Sequence, residues 1–279
     1  MAEITKKAML VRLSIKRWNA RKIDKAVTQK VEADYEAINA GRFNKILVTE
    51  DAVKEITKAA SSARAFHYDN TLPWADDGAR ILPAKNYLEY TSRMRELKSE
   101  FEKSVQVFLH NYDEEVIQAR ERLKGMFNPE DYPEPDRIPK RYGFEVAISP
   151  IPEAEDFRVT LQTEEVDAIR SDIDKRTREA FDVAMKDLWH RLYAAVERMA
   201  ERLKYADGVF RNSLVQNLCD LCALLPRLNI EGCRELEVMR KRIEEKLCRF
   251  EPEILREDKT RRFEDRKSTR LNSSHVSQS

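Results

Sequence analysis

Basic side chains are concentrated at the start of the chain, where they could bind phosphate groups. Residues 1–30 hold nine lysines and arginines against two acids, although the whole chain carries a formal net charge of only +1. Lysine and arginine neutralise phosphates, and an aromatic ring among them can stack on a base. The stretch therefore predicts contact with nucleic acid; the competing interpretation is a solvated face of a strand and a helix. The predicted contact residues are Arg12, Lys16, Arg17, Trp18, Arg21 and Lys22.

A second candidate site is the segment Phe66–Pro83, which we call the aromatic segment. Its sequence, FHYDNTLPWADDGARILP, combines three aromatic residues with two prolines, a glycine and several polar groups, without periodicity. Flexible linkers do not concentrate aromatic residues, so an ordered loop is predicted. Such a loop could bind a ligand or partner, or its aromatic rings could only anchor it. The candidate residues are His67, Tyr68, Asp69, Trp74, Asp76, Asp77 and Arg80.

The cysteines and glycines give no comparable signal. Cys219 and Cys222 have the spacing of zinc ligands, but they lie in the apolar helical stretch VQNLCDLCALL, with no turn to bring both thiolates to one ion. We interpret them as small buried hydrophobic residues and expect all four cysteines to be reduced. The six glycines are far apart, which excludes a glycine-rich phosphate loop. Neither a metal nor an organic cofactor is predicted.

Hydrophobic periodicity indicates a mainly helical α+β protein. Two long amphipathic helices flank a proline-rich segment, which favours an antiparallel helical hairpin with a small antiparallel β-subdomain and further C-terminal helices. The predicted elements are a strand Met9–Trp18, a helix Ile23–Ile38, a helix Glu50–Ala65 capped by Thr49, a long helix Pro83–Lys124, a hairpin of YGFEVAIS and FRVTL, a second long helix Thr163–Ala206, helices Val209–Leu225 and Ile230–Phe250 divided by Pro226, and a last helix from Pro252.

Residues 1–162 are expected to form an N-terminal α+β part, on which a helical part of residues 163–264 packs, the two making one continuous domain. The first residues lack the apolar core of a signal peptide, and no apolar run is long enough to cross a bilayer. We expect a soluble protein of the cytoplasm without membrane contact.

The end of the chain differs in composition from the rest. Residues Asp265–His275, DRKSTRLNSSH, match residue for residue one reading frame of a common DNA-sequencing adapter. We therefore expect residues 265–279 to be a non-native tail and the native C-terminus to be missing.

A series of short blocks resembles an uncharacterised family of phage and prophage proteins. The blocks are TLPWADDGARILP, NYLEYTSRMRELKSEFE, FLHNYDE, MFNPEDYPEPDRI, FEVAISPIPEAEDFRV and PEILRED, and the resemblance covers most of Met9–Glu264. It implies a phage origin and hence the cytoplasm of an infected bacterium. The family has no established activity, so the resemblance assigns no functional residue.

These observations favour a phage-encoded binding or assembly protein that associates with nucleic acid. One alternative is a protein that sequesters a small ligand, such as a nucleotide signal, through the aromatic segment. Another is an enzyme with a site at His67–Arg80, for which no motif argues. The partners to test are nucleic acid and a phage or host protein, and an oligomer is compatible with the sequence.

Overall fold

The computed structural model describes residues 5–75, 77–157, 163–203 and 212–248. They divide into two compact units. The first unit comprises Met1–Arg12, Tyr68–Tyr90 and Ala147–Ser279, and the second comprises Leu13–His67 and Thr91–Val146. Each unit joins segments that are distant in sequence, so neither could form from one continuous stretch.

The described part of the chain is mainly helical, with short strands, as expected from the periodicity. The strands are β1 (Ala8–Lys16), β2 (Arg21–Ile23), β3 (Asn44–Ile46), β4 (Leu72–Pro73), β5 (Ala79–Pro83) and β6 (Gly143–Ser149). The helices are α1 (Lys25–Asp34), α2 (Lys54–Asp69), α3 (Tyr87–His110), α4 (Tyr112–Leu123), α5 (Thr163–Leu203), α6 (Asn212–Leu228) and α7 (Arg234–Leu247).

The first unit contains the helices α5, α6 and α7, the strands β4 and β5, and the Ala8–Arg12 part of β1. The strand order is β4-β5-β1-β6, with Ala8 of β1 opposite Pro83 of β5 and Arg12 opposite Ala79. Helix α6 packs on α5, and α7 packs on α6. Apolar side chains of the sheet and of all three helices join in one buried cluster, which includes Leu10, Leu72, Ile81, Phe181, Leu188, Leu192, Met199, Leu218, Leu236 and Ile243.

Aromatic packing organises the second unit. Phe101 on α3 lies 5.7 Å from Phe144 on β6, measured between ring centroids, and Phe108 lies 5.9 Å from Tyr112. Phe101 and Leu188, each in the middle of a predicted apolar stripe, are both buried, as expected. The mainly α class with a small antiparallel sheet is thus confirmed.

The predicted long helix Pro83–Lys124 is wrong in its continuity. It begins at Tyr87 and is interrupted at Asn111, which has φ −96° and ψ 4° and separates α3 from α4. Asparagine is a poor helix former, and the Asn111 amide divides its hydrogen bond between the Val107 and Phe108 carbonyls at this point. From Thr91 onward α3 belongs to the second unit, so the helical neighbour of α5 within its own unit is α6.

The aromatic segment is not a loop throughout. Its first residues form the last turn of α2, which runs to Asp69, and β4 and β5 pair antiparallel within it. The helix is longer than predicted. Its buried face, which includes Ala60 and Ala63, continues past Ala65 to His67. Thr49 does cap the start of this region, since its hydroxyl accepts a hydrogen bond from the Ala52 amide at 3.4 Å.

Two expectations about the C-terminal helices are also wrong. Pro226 lies inside the last turn of α6 rather than between helices. Cys219 and Cys248 form a disulfide between α6 and the end of α7, whereas Cys222 and Cys233 are free. The cysteine spacing gave no sign of this pair, because the two residues meet only when α7 folds back on α6.

Some predicted elements lie outside the described residues. These are most of the strand FRVTL, the helix from Pro252 and the adapter-like tail, so the hairpin between YGFEVAIS and FRVTL stays a prediction. Strand β6, its first half, is present and is next to β1 in the sheet order.

Candidate functional site

The second unit contains an open groove of about 1060 Å³, which we call the basic groove. One wall is the end of β1 and the turn into β2, another is the end of β3, and the third is the start of α2. Five basic and two acidic side chains line it, together with apolar residues at its base. The charged lining residues are Arg17, Arg21, Lys54, Lys58, Arg64, Glu50 and Asp51.

Two of the arginines in the groove bond to neutral groups. Arg17 donates to the Thr57 hydroxyl at 3.0 Å, and Arg64 donates to the Ile15 carbonyl at 3.1 Å. Neither forms an ion pair with a described residue. A guanidinium that is oriented by a neutral acceptor keeps its full charge and its remaining N–H donors for an anion.

The other three cations of the groove have weak, solvent-exposed partners. Arg21 pairs with Glu50 at 3.0 Å, and both side chains are more than half exposed. The lysines of α2 pair within their own helical turn, at 3.8 Å for Lys54 and 3.7 Å for Lys58. Such surface pairs contribute little energy, so a phosphate could displace them at small cost.

Helix α2 places its basic residues along the groove by simple periodicity. Lys54 and Lys58 are four residues apart, on one side of the helix, and Thr57 and Arg64 follow the same side at a spacing of seven. The first turns of α2 also line the groove, so the positive end of the helix dipole adds to the cationic field there. Sequence reasoning found this helix but did not examine its polar face, where the spacing was visible.

The predicted nucleic-acid residues separate into two groups in the structure. Arg17 and Arg21 lie in the basic groove, whereas Lys16 donates to the Lys140 carbonyl at 2.9 Å. Trp18 packs edge-on against Tyr112, with ring centroids 6.1 Å apart, and against Phe108 at 6.2 Å. Its ring is part of the aromatic core of this unit, which favours an anchoring role over base stacking.

Lys22, whose side chain is 51% exposed, pairs with an ion network that is buried at Asp131 and Lys45. Its ammonium lies 2.6 Å from Asp131, whose side chain is 3% exposed. Lys45, 5% exposed, pairs with Asp131 at 2.6 Å and with Asp24 at 3.0 Å, and donates to the Met126 carbonyl at 3.0 Å. The charges of two lysines and two aspartates balance, so the network has no net charge that would attract a ligand. The ion pairs with Asp131 hold the β2–β3 ribbon in place.

The pKa values of Asp131 and Lys45 shift so as to favour their charged forms. Burial alone would raise the pKa of Asp131, but hydrogen bonds from Lys22 and Lys45 outweigh it and hold the pKa below its ordinary value. Burial alone would likewise lower the pKa of Lys45, but its bonds to Asp131 and Asp24 raise it. Asp131 and Lys45 therefore stay ionised at neutral pH.

Arg12, the remaining predicted contact residue, pairs with Asp77 of the aromatic segment. Both side chains are more than half exposed and both lie in the first unit. The residues were assigned to two different sites on sequence grounds, and antiparallel pairing of β1 with β5 brings them together.

Most polar groups of the aromatic segment bond to its own neighbours. Arg80 donates to the hydroxyl and the carbonyl of Thr71, and its guanidinium lies 4.7 Å from the centroid of the Tyr68 ring. Arg191 of α5 donates to the Asp69 carbonyl at 2.9 Å and to the Thr71 carbonyl at 2.8 Å. These contacts fix the backbone of the segment on α5, and His67 is buried at the end of α2. Asp76 lies outside the described residues.

Trp74 lines a smaller cavity, of about 440 Å³, in the first unit. Its ring meets Phe181 edge-on, with centroids 6.4 Å apart. The lining is mainly apolar and includes Pro152, Ile173, Arg176, Thr177, Ala180 and Val183. The volume is within the range of small-molecule sites.

Among the described residues, no group of three or more histidine, cysteine, aspartate or glutamate side chains could hold a metal ion. No described helix is both long enough and apolar enough to span a membrane. Comparison with family models, with curated proteins and with solved structures finds no match for this chain.

Proposed function

We propose that this protein binds nucleic acid through the basic groove, by contacts to the phosphate backbone. The observation that carries the proposal is the pair of arginines, Arg17 and Arg64, that line the groove and bond only to neutral acceptors there. No described residue pairs with either charge, and a phosphate is a ligand that would satisfy both the charge and the remaining donors.

The dimensions of the groove favour a polymer over a single phosphate. Lys54 and Arg64 are ten residues apart on α2, which separates them by about 15 Å along the helix. Along the axis of duplex DNA each strand carries one phosphate per about 3.4 Å, so more than one phosphate could follow this row. None of the described residues that line the groove is aromatic. The proposal is therefore binding without sequence preference, dominated by charge.

Salt dependence of binding tests the proposal. Affinity for labelled single-stranded DNA and RNA, measured by fluorescence anisotropy, should fall as salt rises, with a slope of about 0.7 per phosphate contacted. Arg17→Glu combined with Arg21→Glu should weaken binding to all sequences and reduce the slope. Arg95→Glu, an exposed arginine on α3 outside the groove, is the matched control and should bind as the wild type does. Absence of wild-type binding at low salt would refute the proposal.

The cavity at Trp74 favours a second candidate function, the sequestering of a small ligand. Its mainly apolar lining suits a planar molecule; the charged residues Arg176 and Glu179 line it as well, and Arg176 pairs with Asp172 at 2.8 Å. Mass spectrometry of the denatured, freshly purified protein should then detect a nucleotide, and Trp74→Ala should lose it while nucleic-acid binding stays intact. The phage origin and the role in an infected cell remain proposals that rest on the short sequence blocks.

A further inference from the structure

Two arginine contacts cross the basic groove from one wall to another. Arg17, next to the end of β1, donates to the Thr57 hydroxyl of α2 at 3.0 Å. In the opposite direction, Arg64 of α2 donates to the Ile15 carbonyl of β1 at 3.1 Å. The opening between β1 and α2 is therefore no wider than one arginine side chain and its hydrogen bond.

Duplex DNA is too wide to enter this opening. Its major groove alone is about 12 Å across, and the whole duplex is wider than its groove. An extended arginine side chain is shorter than that. One unpaired strand, by contrast, can lie between two walls this close together, as it does in proteins that hold a single strand in a basic groove.

The apolar residues at the base of the groove form a surface that we call its floor. They are Ile15, Ala20, Ile46, Val48 and Val53. Ile46, at the end of β3, is the most open of them, with 38% of its surface exposed. Phosphates gain nothing from an apolar floor, but the flat face of a nucleobase does, since contact removes apolar surface from water. Unpaired nucleotides expose these faces, whereas a duplex stacks them inside.

From the narrow opening and the apolar floor we infer that the basic groove selects single-stranded over duplex nucleic acid. The phosphates of one strand lie on the cationic walls, and its nucleobases lie on the floor around Ile46. This inference rests on the proposed function, because it names the form of nucleic acid that the groove binds. Ile46 is then a specificity-determining residue, which contacts nucleobases and contributes no charge.

Charge alone would favour the opposite preference. Each phosphate contact releases about 0.9 counterions from duplex DNA and about 0.7 from a single strand, so a purely electrostatic surface gains more from the duplex. A preference for the single strand therefore reports the shape and the floor of the groove rather than its charge.

A comparison of the two forms of one DNA sequence tests the inference. The probes are a labelled strand without self-complementarity and the same strand paired with its complement, measured by fluorescence anisotropy at one salt concentration. The wild type should bind the single strand about 10-fold more tightly or better. Equal or tighter binding of the duplex would overturn the inference and leave the proposed function standing. Binding of neither form at low salt would refute the proposed function itself.

Ile46→Thr separates the floor from the charges. The variant removes apolar surface and keeps a β-branched residue on β3, so the strand is preserved. Single-strand binding should weaken by about four-fold, the effect of losing one buried methylene group. The salt slope should stay the same, because no charge is lost. Ile148→Thr, at an exposed isoleucine of β6 outside the groove, is the matched control and should bind as the wild type does.

A strand with abasic sites completes the test, since it keeps the phosphates and lacks the nucleobases. The wild type should bind the abasic strand more weakly than the normal strand, and Ile46→Thr should bind the abasic strand as tightly as the wild type does. Equal weakening of both strands by Ile46→Thr would show that Ile46 acts through the fold, and would overturn the inference. Unchanged binding of the normal strand by Ile46→Thr would overturn it as well.

Discussion

Arginines contact both the basic groove and the aromatic segment, but the two regions differ in the groups that these arginines bind. Arg80, within the aromatic segment, and Arg191, on α5, each donate to backbone carbonyls of the segment. Arg191 also pairs with Asp187 at 2.7 Å. In the groove, Arg17 makes one contact, to a hydroxyl. An arginine with several partners in its own chain fixes structure, whereas one with a single neutral partner is available to a ligand.

The same distinction applies within the predicted basic stretch. Lys22 and Arg21 are adjacent in sequence, but alternate residues of a strand point to opposite faces. Lys22 lies opposite Lys45 in the β2–β3 register and joins the buried network, while Arg21 lies opposite Ile46 and lines the groove. Arg21 and Lys22, two adjacent basic residues, therefore have different roles.

The largest effect on stability is expected in the ion network around Asp131, where each charge has a partner in the protein. Asp131→Ala removes the carboxylate that balances Lys22 and Lys45, and leaves the buried Lys45 ammonium with Asp24 alone. Breaking a buried pair in this way costs about 3–5 kcal/mol of folding free energy. Urea denaturation measures the loss. Glu50→Ala, which removes the exposed partner of Arg21, is the control and should cost about 1 kcal/mol or less.

A comparable loss is expected from the apolar core beneath the aromatic segment. Leu188 on α5 is fully buried, and Leu188→Ala should cost about 2–5 kcal/mol, since it leaves a cavity in the cluster that holds α5, α6 and the sheet together. Thermal or urea unfolding checks this. Normal folding of Leu188→Asp would contradict the assignment of this helix face to the core.

The pH dependence of stability should report the ion network. The pKa values of Asp131 and Asp24 are lowered in the folded protein, so their contribution is present above the ordinary value of 3.8 and is lost as pH falls below it. The pKa of Lys45 is raised above 10.5, so its contribution is present below that pH and is lost at more alkaline pH. Unfolding free energies of wild type and Asp131→Asn should therefore converge at acidic pH. Parallel curves down to the acid limit would show that ionisation of Asp131 does not contribute to the pH dependence of stability.

How much the sequence could predict follows from the range of the interactions involved. The strand β1, the helix α5 and the capping by Thr49 depend on local spacing, and they were predicted. The Cys219–Cys248 disulfide and the Arg12–Asp77 pair depend on contacts between segments distant in sequence, and they were not. The groove was found in part: Arg17 and Arg21 stood out as a charge cluster, while Lys58 and Arg64 join them only through the fold.

The smallest effect on stability is expected in the groove, and it decides whether the comparison between the two regions holds. Arg191→Ala should cost about 1–3 kcal/mol, because it removes hydrogen bonds from a charged donor to the Asp69 and Thr71 carbonyls. Arg17→Ala should change stability by about 0.5 kcal/mol or less, since its contact is a single exposed hydrogen bond to Thr57. Urea denaturation of both variants, side by side, measures the difference. If Arg17→Ala proved the more destabilising of the two, its guanidinium would be a structural group, and the charge of the groove would not be free for a phosphate. If the expected order is found, the loss of nucleic-acid affinity in groove variants can be assigned to lost phosphate contacts rather than to unfolding.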